Sequence, residues 1–252
     1  MLKDDILRAL DPAQFAKYVG IEPDPWQADV LRSEDKRMLL NCSRQSGKST
    51  TTAVKGLHTA LYRPKSLILL VSPSLRQSQE LFRKVKDAYH AMAERPGLTE
   101  DNKLSLTLVN NSRIVSLPGD QATVRGYSGV TLILEDEAAQ VNDDFYHAIL
   151  PMLIVNDGQL ICMSTPFGKR GHFFEEWENG GPSWKRIQIT ADLCPRITEE
   201  QLEAQRRSLG DMFFRQEFQC EFVELEDSSF KYDLIQRASS DEVLPLFGEV
   251  GA

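Results

Sequence analysis

The 252-residue chain has no uninterrupted apolar run approaching the roughly 20 residues that cross a bilayer. Its opening, MLKDDILRALDP, places acids where a secretory leader carries its apolar stretch, so a soluble cytosolic protein without a membrane partner is expected. Only four cysteines occur, Cys42, Cys162, Cys194 and Cys220, far apart and without a CxxC or Cys/His pairing. Neither a zinc site nor a disulfide framework is therefore expected, and the thiols read as reduced, partly core residues. Net positive charge is lacking too. The formal charge is −8, so any nucleic-acid contact is confined to a local basic strip. Internal repeats and long low-complexity runs are absent. What is present is enough apolar sequence, 41% of residues, to bury one large core with at most a small appendage.

Residues 1 to 37 read as helical, broken at Asp11-Pro12 and at EPDPW, where proline disfavours a continuing helix. Met38, Leu39 and Leu40 lead as a short strand into NCSRQSGKST, and residues 48 to about 61 keep helical spacing without a proline. The pattern then repeats. SLILLVSPS, residues 66 to 74, suits a strand buried on both faces, and residues 75 to 92 follow as an amphipathic helix. Such alternation predicts a parallel sheet flanked by helices. Residues 104 to 109 and 113 to 117 flank Asn110-Asn111-Ser112 as a hairpin, expected as an edge decoration. Two more buried strands are predicted at 130 to 134 and 159 to 164, each ending in polar residues where a doubly wound sheet carries its ligands. Beyond Gly180, the GGPSW break, an alternating segment at 184 to 189 and polar helical sequence at 198 to 220 are too little for a second full domain. The expected organisation is a core over 1 to 180, a small subdomain over 181 to 226 and a linker or docking tail over 227 to 252.

NCSRQSGKST lacks the first glycine of a phosphate-binding loop and carries an arginine inside it. Phosphate binding wants converging backbone N–H groups, a helix N-terminus behind them and a point charge. Ser43, Arg44, Gln45 and Ser46 supply the loop, Gly47 the tight turn, Lys48 the charge and Ser49 a hydroxyl for Mg²⁺, with Thr50 next on the helix. The five fixed donors of Arg44, so near Lys48, call for an anion between them. LILEDEAA, residues 132 to 139, is an apolar strand ending in carboxylates. In-line phosphoryl transfer wants one carboxylate near a metal and another near the attacking water. Asp136 is assigned to Mg²⁺, through water, and Glu137 to orienting and activating the nucleophilic water, while Glu135 leaves the register open by one residue. Ser164 and Thr165, at the end of the 159 to 164 strand, can sense a γ-phosphate or Glu137 by hydrogen bonding.

In order and spacing, DPWQADVL, SRQSGKST, LVSPSLRQSQELF, VRGYSGVTLILEDEAA, MSTPFGKRGHFFEEW and FFRQEFQCEFVE resemble the ATPase half of a large terminase, the motor that drives double-stranded DNA into the capsids of tailed bacteriophages. The likeness covers almost the whole chain. A phosphate loop without its first glycine and with an arginine before Gly-Lys is a mark of that family. The resemblance implies a P-loop NTPase of the ASCE, RecA-like type: α/β, with a mostly parallel central sheet flanked by helices, and a C-terminal lid subdomain over 181 to 226. It implies that Gln27 reads the adenine edge with Trp26 packing nearby, and that Arg44 lies beside the phosphates. Arg125 takes the place of an arginine finger acting on a neighbouring subunit, with Arg113 a lesser candidate. Ser164 and Thr165 match the coupling motif. Lys169 and Arg170, between Gly168 and Gly171, form a basic turn, and Arg215 and Gln216 border the lid. The implied cofactors are ATP and Mg²⁺. The implied partners are double-stranded DNA, the portal protein, the small terminase subunit and further copies in a ring on the portal, the chain being a monomer in solution and working in the host cytoplasm.

A superfamily 2 helicase-like remodelling ATPase shares the sheet, the glutamine motif, the acidic strand and a Ser-x-Thr-like third motif. Such helicases need a second sheet domain with its own arginine fingers, where this chain offers a small helical region. A nucleotide-binding scaffold has no use for a water-orienting Glu137. No sheet-borne acidic cluster follows Phe222, so DNA cleavage by this chain is not expected.

Overall fold

The computed structural model describes residues 2–119, 124 and 126–224, so Arg125 and the expected tail over 227 to 252 lie outside the described residues. Three short helices come first: α1 (Leu2–Leu10), α2 (Pro12–Tyr18) and α3 (Pro25–Arg32). Their boundaries have local causes. The Asp11 carboxylate accepts the Ala13 N–H at 3.0 Å with Pro12 opening α2, and Asp24 with Gln27 closes a capping box around Pro25 at the start of α3. There follow β1 (Arg37–Cys42), α4 (Lys48–Tyr62), β2 (Leu67–Ser72), α5 (Leu75–Ala91), β3 (Leu98–Asp101), β4 (Ser105–Leu108), β5 (Arg113–Pro118) and β6 (Leu132–Asp136). The chain continues with α6 (Asp143–Ile149), β7 (Gln159–Ser164), α7 (Gly171–Glu178), β8 (Trp184–Ile189), α8 (Glu199–Leu209) and α9 (Asp211–Phe218). No helix among the described residues is long and apolar enough to cross a membrane.

The eight strands form one sheet in the order β3-β4-β5-β2-β6-β7-β1-β8, parallel from β5 through β8 and antiparallel at the β3-β4-β5 edge. This is the mostly parallel α/β architecture expected of a RecA-like P-loop domain. Two features differ from the sequence expectation. The second arm of the hairpin is no decoration: β5 runs parallel along β2 from Leu67↔Arg113 to Ser72↔Pro118, because its central residues are buried and must be covered on both faces. And β8 pairs with β1 from Arg37↔Trp184 to Cys42↔Ile189, so the sheet of the core runs past the expected boundary at residue 180. Its alternating pattern is that of an edge strand, covered on one face more than the other.

Two apolar layers sandwich the sheet, one with Leu132 and Leu134 of β6, the other with Ile133, as the two-residue period of a strand requires. Lys55 of α4 ties the N-terminal helices to the first layer, its buried Nζ donating to the carbonyls of Leu31 (3.0 Å) and Ser33 (2.8 Å); burial pulls its pKa down to about 8. All four cysteines are buried free thiols. At the C-terminal edge, the register Asn41↔Ser164 and Asp136↔Met163 sets the ends of β6, β7 and β1 side by side. From β1 the chain crosses to β2 on one side, while β8 closes the other, which makes this edge the switch point where such sheets carry ligands.

Candidate functional site

From the buried end of β1 the backbone turns through residues 43 to 47 into α4. Gln45 (φ 60°) and Gly47 (φ 93°) take left-handed conformations, which at Gly47 strains any side chain, and a Cβ there would come within 2.7 Å of Gln27 Nε2 and displace that amide. The loop is braced from outside. Gln27 Nε2 donates to the Ser46 carbonyl at 3.2 Å while its Oε1 accepts the Asp24 N–H at 2.9 Å. Arg196 donates to the same Ser46 carbonyl at 2.9 Å and forks onto Asp24 at 3.1 and 2.8 Å. The Ser43 N–H donates to the Ile189 carbonyl at 2.8 Å, and Asn41 Nδ2 to the Cys220 carbonyl at 2.9 Å. Gln27 thus joins the cap of α3 to the loop, and each of its amide atoms keeps a further donor or acceptor position beyond these bonds. Trp26 packs against the first core layer and shares a hollow with Asp29, Arg32 and Lys185 rather than with loop residues.

Across the sheet edge, Lys48 Nζ lies 3.3 Å from Glu137 Oε1, with only 9% of the lysine side chain exposed. Burial alone would pull the Lys48 pKa down, but Glu137 and Asp136 together hold it above its ordinary value. Asp136 faces the Ser49 hydroxyl, which favours its ionised form, and accepts the Glu137 N–H at 3.1 Å. Burial, then the neighbouring Glu137, raises the Asp136 pKa against the opposing pull of Lys48. The register left open by Glu135 is resolved here: Asp136 closes β6, Glu137 is the first residue beyond it, and Glu135 is fully buried. Glu137 sits at φ 54°, ψ 42°, a left-handed conformation that costs a non-glycine residue on the order of 1–3 kcal/mol and that turns the chain sharply after the strand.

Ser164 and Thr165, at the end of β7, are buried between these two strand ends. The hydroxyls of Ser164 and Ser46 are buried without any hydrogen-bond partner. Buried polar atoms are rarely left unpaired, so a polar ligand fits here. With Lys48 behind the loop and Asp136 beside Ser49, the donor set suits a polyphosphate and a hard divalent cation, which Ser49 and, through water, Asp136 would hold. Thr50 follows, half-buried on the first turn of α4.

Arg44 lies inside the loop and is paired there with the last helix. Its Nε pairs with Glu217 of α9 at 2.5 Å, its backbone N–H donates to the Glu217 carbonyl at 3.1 Å, and that carboxylate is the main reason its pKa is raised. A guanidinium takes the nearest available carboxylate as partner. Between the loop and the last two helices lies a cavity of about 500 Å³, lined in part by Arg44, Gln45, Ile197, Leu202, Phe213 and Glu217. Arg113, at the first residue of β5, stands at the end of the parallel strands away from the loop. Arg170 lies 5.0 Å over the Phe167 ring, Lys169 is 3.9 Å from Glu224, and Arg215 is paired with Glu221 beside the buried Gln216. Asp24, Arg196 and Glu217 were missed by sequence reasoning. Arg196 is 172 residues from Asp24 and Glu217 is 173 from Arg44, and no local pattern announces a contact at that range.

Comparison with known proteins places this geometry. The family described as "Terminase large subunit, T4likevirus-type, N-terminal" matches residues 39–237, most of the chain. The chain belongs to this terminase family. Among its relatives, the terminase large subunit of Thermus virus P23-45 is 29% identical over 261 residues, covering 89% of this chain and 54% of that protein. This terminase chain therefore spans about half the length of the curated relatives it matches. The large terminase ATPase domain of Thermus phage P74-26 superposes with a TM-score of 0.73 at 26% identity, covering 83% of this chain and 98% of that one. A large terminase from another thermophilic bacteriophage, in complex with ADP, shares the fold at a TM-score of 0.66 and 13% identity, over 80% of this chain and 54% of that one.

Proposed function

We propose that this chain is the ATP-hydrolysing motor domain of a large terminase, coupling hydrolysis to translocation of double-stranded viral DNA into a procapsid through its portal. The observation that carries the reading is the meeting of Lys48 and Glu137 at 3.3 Å beside the Ser49–Asp136 pair, a cation and two carboxylates at the end of neighbouring strand and helix. The family match, the likeness to a terminase ATPase domain and the ADP held by a large terminase of the same fold support it. Bound ATP with Mg²⁺ supplies the electrophilic phosphorus and the charge that polarises it. The chain's own residues do the rest. The loop N–H groups and Lys48 hold the phosphates, Ser49 and Asp136 hold the cation, and Glu137 orients and deprotonates the attacking water. Lys48 is released from Glu137 as it takes phosphate, which frees the carboxylate for that task. Ser164 and Thr165, hydroxyls set between the two strand ends, report the state of the site to the segment that follows them. Arg125, from a neighbouring subunit in a portal-bound ring, stabilises charge on the transferring group. The helices α8 and α9 act as a lid, and the small terminase subunit and DNA complete the working assembly in the host cytoplasm.

The test is the steady-state ATPase rate per subunit with Mg²⁺ across a wide range of protein concentration. A specific rate that climbs with concentration and falls in Arg125→Ala is the expected result. A measurable rate that stays flat and is indifferent to Arg125→Ala would place a complete site within one chain and sink the shared-site motor.

A further inference from the structure

Three carboxylates follow one another at the end of β6, and the proposed hydrolysis uses two of them. Glu135 projects the other way, on the side of Ile133 and the second core layer, and is 0% exposed. A carboxylate there is costly unless it is paired. Its partner is His172, in the first turn of α7, whose Nε2 lies 3.2 Å from Glu135 Oε2. The other ring nitrogen, Nδ1, is 3.3 Å from Asp143 Oδ1, and the same oxygen accepts the His172 backbone N–H at 2.6 Å. The Tyr146 ring stacks on the imidazole at 4.4 Å and 9°, and its hydroxyl donates to Glu176 Oε1 at 2.8 Å, so α6 and α7 together clamp the histidine.

Glu135, Cys162 and His172 bring ligand atoms within 4.8 Å of one another, yet a metal is the poorer reading. Each imidazole nitrogen already faces a carboxylate oxygen, at 3.2 and 3.3 Å, so neither is left free for a metal. The cluster is a buried carboxylate–imidazole contact, and replacing buried pairs of this kind by apolar residues of similar volume is often neutral or stabilising. Its worth therefore lies in where it holds the chain. The backbone leaving β7 at Ser164 and Thr165 turns through residues 166 to 170 and comes back at His172 to grip the strand that bears Asp136 and Glu137.

We propose that His172 is a positioning residue for hydrolysis: its contact with Glu135 fixes the acid-bearing end of β6 to the segment that follows Ser164 and Thr165. The proposal rests on the hydrolysis reading above. Through this contact a movement of the β7–α7 connection reaches Glu137 from behind, without His172 touching nucleotide.

Steady-state ATPase kinetics and binding of a fluorescent ATP analogue, measured on the whole chain at the protein concentration of highest specific rate, test this in wild type, His172→Gln, Glu135→Gln and the double variant. His172→Gln is expected to lower kcat about tenfold or more while KM and nucleotide affinity change by less than about threefold. The double variant, in which two neutral amides can hydrogen-bond again, is expected to recover part of that loss. Should His172→Gln fail to fold, Asp143→Asn, at a half-exposed position whose oxygen orients the imidazole, gives the same split with a smaller loss. An unchanged kcat, or kcat and affinity falling in parallel, overturns the proposal. Wild-type protein that binds the analogue without ever turning over ATP would instead overturn the hydrolysis reading on which it rests.

Discussion

Two helices flank the phosphate loop, and they are built on opposite principles. α4 begins at Lys48 and buries nine of its residues, from Lys48 to Ala60, under the sheet and the N-terminal helices. α8, on the far side of the loop, buries none. It is held at its ends, by the Thr198–Gln201 capping box and by Arg206 paired with Asp211 at 3.0 Å. Burial of apolar side chains sets local stability, and the elements that move in a working cycle come from the low end of that scale. The loop thus stands between a deeply buried half and one held mainly by contacts at its surface. Only a few polar contacts cross from one to the other, Arg44–Glu217 and the Arg196 fork among them.

The largest effect should arise on the deeply buried side. Glu137→Gln keeps the volume and the turn after β6 but removes the base, and loss of a positioned general base costs about 10²- to 10⁴-fold in rate. We expect kcat to fall within that range with nucleotide binding retained, measured by ATPase assay and by direct titration. Lys48→Ala should instead weaken binding itself, because its ammonium is the buried cation facing the phosphates. If the two variants lose affinity equally, the division of labour between loop and strand end is wrong.

A smaller effect tests the contrast between the helices directly. Leu57 of α4 is 0% exposed and Leu209 of α8 is 41% exposed. Leu57→Ala should cost about 2–5 kcal/mol in a denaturant titration, the usual loss for a buried leucine with its cavity. Leu209→Ala should stay within about 0.5 kcal/mol. Equal losses would mean that α8 packs far more firmly in solution than its exposure implies.

The deeply buried half was also the legible half. Buried parallel strands read as continuous apolar runs, so RMLLNC, LILLVS, LILED and QLICMS announce themselves, and chemistry fastened to their ends inherits that clarity. Lys48, Ser49, Asp136, Glu137 and Ser164 meet because each is a fixed number of residues from such a run. The less buried half carries no such signal. Glu217 looks like any charge on a polar helix until the fold brings it to Arg44, and Arg196 lies in an irregular segment before α8. Gln27 was half legible for a different reason: an amide can serve adenine or a backbone carbonyl equally well, and only the fold shows its bonds to Asp24 and Ser46. β5 and β8 were under-read because a strand next to a hairpin turn, or one with a half-exposed face, resembles decoration until its neighbour is known.

The most delicate effect concerns the contact that joins the halves. Arg44 is 65% exposed and Glu217 15%, and a pair with one partner this open to solvent contributes about 1 kcal/mol, so Glu217→Gln should leave the fold intact. It should nonetheless alter the balance at the loop. While Arg44 is held by Glu217 its guanidinium is turned toward α9; without that carboxylate its paired partner is lost and a phosphate meets less competition for it. We therefore expect Glu217→Gln to tighten MgATP binding by up to about fivefold, the equivalent of that pair, and to speed amide exchange in α9. Tighter binding with faster exchange would show the lid being drawn off the loop as nucleotide recruits Arg44. Unchanged affinity with faster exchange would mean that Arg44 serves only to dock the lid, leaving Lys48 alone to meet the phosphates.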